Sequence, residues 1–227
     1  SRCVGCGSCL NICPVNAVSY RSSKKEVLEL LKGDEPVAAI CSPSISGEFV
    51  DITDYRKFVQ MIKQLGFTYV CEVTFGVDLV AREYKKLFED FKGKYFITSM
   101  CPVVVSMVEK YHPEIAQNLA PIISPVVATA MAVRKEYGSN VRVVLIGPCI
   151  QSKEEIRLYD DERRIDENLT FVELRELFDE FNIKESNLEY SEFDEPIGYK
   201  GSLFPIGRGI LQAVDISEDL LTGTVIS

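Results

Sequence analysis

The groups best suited to chemistry stand in the first fourteen residues. They read Cys3-Val-Gly-Cys6-Gly-Ser-Cys9-Leu-Asn-Ile-Cys13-Pro14, a C-x2-C-x2-C-x3-C-P run. Three thiolates two residues apart, on a Gly-rich loop that turns each Cβ inward, can wrap one corner of an iron–sulfur cubane. The fourth, one step further on, commonly ligates a second cluster. Soft thiolates at this spacing select iron–sulfur or zinc, and the proline directly after Cys13 favours iron–sulfur. Cys3, Cys6, Cys9 and Cys13 are therefore the expected ligands of a 4Fe-4S cluster. A zinc knuckle or a disulfide pair is the alternative, and cysteines this close in sequence bridge poorly.

If Cys13 serves another cluster, its companions should lie upstream of Ser1. The segment therefore reads as half of a two-cluster ferredoxin-like module, residues 1–34, ahead of a main domain over residues 35–227. The 227 residues are 46% hydrophobic, enough for a sizeable core. Formal net charge is −9 with both signs mixed along the chain, and no Lys/Arg-rich run supports nucleic-acid binding. A single histidine excludes a multi-His metal site. No apolar stretch reaches membrane-span length, and the cysteine usage points to metal in a reducing compartment. A cytoplasmic protein is expected.

Behind the motif, Val15 to Tyr20 reads as a short strand and Ser23 to Leu31 as a helix. Gly33 to Pro36 is the best boundary loop. Val37 to Cys41, Tyr69 to Val73, Tyr95 to Thr98 and Val141 to Ile146 are apolar runs of the kind buried on both sheet faces. Helices are expected from a Thr53 cap to Leu65, over Phe75 to Phe91, over Val103 to Tyr111, from Ser124-Pro125 to Tyr137, and from a Thr170/Glu173 capping box through Phe181. A short helix at Ile206 to Val214 follows. Strands alternating with helices argue for a parallel α/β sheet, whose ligands collect at the carboxyl ends of strands. Cys101 and Cys149 each follow such a strand and sit beside a proline, so the two thiols can face one crevice. Ordinary buried cysteines are the alternative. Cys41 and Cys71 lie inside strand runs and read as packed core thiols.

These residues also resemble a family. Thr98-Ser-Met-Cys-Pro102 is similar to the TSCCP motif of the [FeFe]-hydrogenases, and Gly147-Pro-Cys-Ile-Gln-Ser-Lys-Glu-Glu155 to their PCxxKKxE motif. Phe75-Gly-Val-Asp-Leu79 is similar to their FGADL segment. Ser124-Pro125, Phe204-Pro205 and the Gly207/Gly209 pair follow in the same order, and the four-cysteine module stands in front. The style is closest to the sensory branch, whose signature is written TSxCP. The resemblance implies parallel α/β lobes around a buried H-cluster, a cubane joined through a cysteine sulfur to a two-iron centre. It makes Cys101 and Cys149 two of four cubane ligands. The other two belong to a later C-x3-C motif that this sequence does not contain.

Met100 stands in place of the first thiol of TSCCP, which relays protons in catalytic members; a thioether has no exchangeable proton. Ser152 replaces the first lysine of the second motif, leaving Lys153 as its candidate substitute. Glu154 or Glu155 and, on its helix, Glu83 fall where proton-transfer carboxylates are kept, with a solvated surface role as the plainer reading. Fast hydrogen turnover is therefore not expected. The resemblance implies an iron–sulfur protein with a hydrogen- or redox-sensing role, served by a redox partner such as a ferredoxin or a signalling domain. A catalytic hydrogenase and a non-catalytic iron–sulfur scaffold are the rival readings.

Overall fold

The computed structural model describes residues 2–90, 96–207 and 209–213. Four strands form one parallel sheet: β1 (Val37–Cys41), β2 (Tyr69–Glu72), β3 (Arg142–Gly147) and β4 (Glu167–Thr170). Their order is β2-β1-β3-β4. β1 lies in the middle, with Ile40 opposite both Cys71 and Leu145. Its five residues are all buried, which is why the run is continuously apolar rather than alternating. β4 was not anticipated. It is four residues long and Asn168 interrupts its apolar pattern, so nothing local marks it as a strand.

Helices cover both faces. Alternate strand residues Val37, Ala39, Cys41, Val70, Val144, Ile146 and Leu169 pack against α2 (Lys24–Leu31), α3 (Ile45–Glu48), α4 (Tyr55–Gln64) and α9 (Phe171–Glu180). Ala38, Ile40, Cys71, Val143 and Leu145 point the other way, onto α5 (Thr74–Asp90) and α7 (Pro125–Tyr137). This alternation follows from the period of two along a strand. Gly76 lets α5 and α7 touch: a Cβ there would stand 2.1 Å from the Pro125 carbonyl oxygen and 2.2 Å from Thr129 Oγ1.

Three sequence expectations are corrected. Val15 to Tyr20 is not a strand. Asn16 turns to φ 49°, the Ala17 amide donates to Cys13 Sγ at 3.2 Å, and among the described residues no strand lies alongside to satisfy the remaining backbone. The region of Tyr95 to Thr98 contributes an isolated bridge from Ile97 to Leu119, and Tyr95 lies outside the described residues. The cap of α4 is Asp54, whose carboxylate accepts from the Arg56 amide at 2.8 Å; the amide and hydroxyl of Thr53 are committed to Glu185. The Thr170/Glu173 capping box is present on α9. The last short helix runs Gly209–Ala213, with Val214 outside the described residues.

Candidate metal centre

The four-cysteine run is a bent loop carrying one short helix, α1 (Ser8–Ile12). Gly5 and Gly7 hold φ 68° and 79°, the left-handed region that other residues enter at a cost. Backbone and hydroxyl groups already face the sulfurs. The Gly5 amide donates to Cys3 Sγ at 3.3 Å, and Cys6 Sγ lies 3.3 Å from Ser8 Oγ. The Ser8 contacts hold the Cys6 thiol below its ordinary value, and the amides of Ala17 and Val15 do the same for Cys13. Easier ionisation suits a metal-ligating thiolate. Cys3, Cys6 and Cys9 are exposed and Cys13 half-buried. Among the described residues no three cysteine, histidine or acidic side chains are gathered in ligating geometry. The donor set, loop curvature and sulfur-directed amides fit a 4Fe-4S cluster; binding requires the thiols to turn inward.

Cys149 stands where β1 and β3, neighbours in the sheet, send their chains to opposite sides. This is the switch point at which open α/β sheets receive ligands. The Ser42 amide donates to the Ile146 carbonyl at 2.8 Å, and a Cβ on Gly147 would be 3.4 Å from that of Ser42. Cys101 caps α6 (Pro102–Tyr111) in extended conformation. Gln151 links the two: its Nε2 donates to Ser106 Oγ of α6 at 3.0 Å. The four-cysteine loop rests on this pair of segments. Ile150 and Gln151 lie against Gly7 and Gly5. Lys110 Nζ donates to the Cys3 carbonyl at 2.6 Å, and Tyr111 Oη to the Arg2 carbonyl at 2.7 Å. All six candidate cysteines thus lie on one continuous assembly of loops.

The proposed acid–base residues are scattered. Lys153 is buried and fully engaged, donating to Ser23 Oγ and the Asn168 carbonyl at 2.8 Å each and to Glu173 at 2.9 Å. Burial pushes the Glu173 carboxyl up, but the amides of Thr170 and Ser23 and the Lys153 ammonium hold it net below the usual carboxylate range. Glu83 is exposed and pairs with Lys86 at 2.7 Å. Glu154 is exposed and pairs with Arg157 at 3.2 Å. Glu155 departs from a surface role: burial raises its carboxyl, partly offset by the Ser124 hydroxyl. Met100 packs beside Tyr84, whose hydroxyl meets Ser99. Cys41 and Cys71 are buried, and burial pushes Cys71 up to about 12. Sequence reasoning missed the roles of Gln151, Lys110 and Tyr111 and the Lys153–Glu173–Ser23 contact, because each depends on a partner in another segment of the chain. The sole advance signal was the glycine at position 5.

Comparisons agree with this architecture. Residues 35–226 match the family described as iron only hydrogenase large subunit, C-terminal domain, and residues 1–19 match a 4Fe-4S binding domain. Iron hydrogenase 1 of Clostridium pasteurianum is 30% identical over 228 residues, covering 88% of this chain and 39% of that protein. The cytosolic Fe-S cluster assembly factor NAR1 of Yarrowia lipolytica is 25% identical over 178 residues, covering 68% of this chain and 36% of the relative. A solved [FeFe]-hydrogenase, HydA(deltaEFG), described for stepwise H-cluster assembly, superposes with TM-score 0.67 at 25% identity, over 79% of this chain and 52% of its own. The chain thus spans well under half the length of these two curated relatives. No helix among the described residues is long and apolar enough to cross a membrane. With its parallel sheet, its two motif cysteines and a 4Fe-4S binding segment in front, the chain belongs to the iron-only hydrogenase large-subunit family.

Proposed function

We propose that this chain is a cytoplasmic redox protein that passes electrons between a 4Fe-4S cluster on Cys3, Cys6, Cys9 and Cys13 and a second site at Cys101 and Cys149. It would act in hydrogen or redox sensing rather than fast turnover. The observation that carries this reading is the seating of the four-cysteine loop on Ile150 and Gln151, one and two residues after Cys149. Direct packing of the two sulfur-bearing segments is what short-range electron exchange requires. An H-cluster would be the group for the second site, with Cys101 and Cys149 as two of its thiolate ligands. That group supplies the hydrogen-binding and electron-storing chemistry when bound. The chain's own residues hold the loops and limit proton supply. Met100 has no proton to give, and burial raises the neighbouring Tyr84 hydroxyl, so neither is a general acid or base near neutral pH. Lys153 is spent on Glu173 and does not replace the motif lysine. Domain limits near residue 34 and a ferredoxin or signalling-domain partner belong to the same reading.

A scaffold role is the second reading, favoured by the similarity to a cluster assembly factor. The test is iron and acid-labile sulfide content of the anaerobically reconstituted chain, with low-temperature EPR, on wild type and Cys101→Ala/Cys149→Ala. Loss of iron or of an EPR signal in the double variant supports a second cluster site; unchanged iron and spectra reject it. Measurable hydrogen evolution by the reconstituted chain at rates typical of catalytic relatives would reject the sensing assignment.

A further inference from the structure

We infer that Gln151 is a positioning residue through which the α/β domain seats the four-cysteine loop and sets the reduction potential of its cluster; the inference rests on the cluster assignment above. Three observations converge on this side chain. Gln151 is buried, at 8% exposure, although it lies on a loop. Its Nε2 is fixed by Ser106 Oγ at 3.0 Å, so the amide dipole has a defined direction with its oxygen pointing away from α6. That oxygen stands where a Gly5 side chain would begin: a Cβ on Gly5 would be 1.8 Å from Gln151 Oε1 and 2.8 Å from Cδ. Gly5 lies between Cys3 and Cys6, the tightest part of the ligating loop. The absence of a side chain there, together with φ 68°, lets the carboxamide press directly on that backbone.

The electrostatic consequence has a definite sign. The negative end of the carboxamide faces the cluster loop from a buried position, where dipoles are poorly screened. A reduced cluster carries one more negative charge than an oxidised one, so this dipole opposes reduction and holds the potential down. Polar groups and solvent exposure around the sulfurs are the levers that tune such potentials. Gln151 also touches α6, which Cys101 caps, and is two residues from Cys149. One side chain therefore fixes all three cysteine-bearing segments relative to one another.

The test uses the full chain, reconstituted anaerobically with iron and sulfide, in two forms: wild type and Gln151→Met. Gln151→Met keeps length and burial but removes the dipole and the Ser106 bond. The expected result is wild-type iron content with an upward shift of the midpoint potential, larger than replicate scatter, in an EPR-monitored redox titration. An unchanged potential in Gln151→Met with full iron overturns the inference while leaving the cluster assignment intact. So does a downward shift. Wild type that binds no iron overturns both readings.

Discussion

The cysteines of the first fourteen residues and those of the sheet show one residue type put to opposite uses. Cys3, Cys6, Cys9 and Cys13 sit on a loop with one short helix, bent by two left-handed glycines, and local amides and a hydroxyl lower two of the four thiols. Cys41 sits on the inner strand β1 and Cys71 on its neighbour β2 at the sheet edge, with Ile40 and Cys71 paired in register, and burial drives both thiols up. A thiol's chemistry is thus set by where its ionised form is solvated. On the loop, a hydroxyl and nearby N–H groups stabilise the ionised sulfur beside open solvent. In the sheet, the amides are committed to the ladder, and the buried Cys71 sulfur meets only a carbonyl, that of Glu195 at 3.2 Å, which accepts from the thiol and gives a thiolate nothing.

Several measurements break or sharpen this contrast. Alanine at Cys6 or Cys9 is expected to abolish cluster binding at the N-terminal site, whereas Cys71→Ala keeps the iron; iron analysis of the three variants decides, and iron lost only from Cys71→Ala would reverse the assignment. Thiol alkylation of the native chain should label the loop cysteines rapidly and leave Cys41 and Cys71 untouched until denaturant is added, as read by mass spectrometry. Glu173→Ala strands the buried Lys153 ammonium and is expected to destabilise the chain by about 3–5 kcal/mol in urea unfolding, while the loop cysteine variants cost far less. Leu174→Ala, in the core beneath the sheet, should cost about 2–5 kcal/mol by the same method. Thr170→Ala removes the α9 cap and the Tyr20 hydroxyl's partner, with an expected loss of about 1 kcal/mol.

The pH dependence follows from Glu173. Its folded value lies below the unfolded one, roughly 4.3, so its contribution is fully present above that pH and is lost as pH falls through the lower folded value. Thermal melts between pH 6 and 3 are expected to show a steeper acid loss for wild type than for Glu173→Gln. Equal slopes would remove Glu173 from the account.

Much of the scaffold was legible because it rests on local periodicity. The continuous apolar runs at Val37 and Val141, the Ser124-Pro125 helix start and the Thr170/Glu173 box all form from interactions within a few residues. The cluster motif was equally plain, since chelation by a loop depends on spacing alone. Thr53 and Asp54 are adjacent residues with similar capping ability, and only the distant Glu185 decides between them by occupying Thr53. Val15 to Tyr20 has strand-like composition, but a strand exists only where a neighbour accepts its hydrogen bonds.

Sequence alone therefore determined the helices and central strands, the four-cysteine motif and the family, because each is written in residue type at fixed local spacing. The tertiary structure alone decided that Lys153 neutralises Glu173 instead of serving the pocket, that Glu155 is half-buried while Glu83 is exposed, and that Gln151 lies on Gly5. Those outcomes depend on which distant segments meet across the switch point of the sheet. The positions of buried charges and dipoles there are fixed by packing and desolvation among separate segments, from the 20 positions between Lys153 and Glu173 to the 130 between Ser23 and Lys153, which no local pattern encodes.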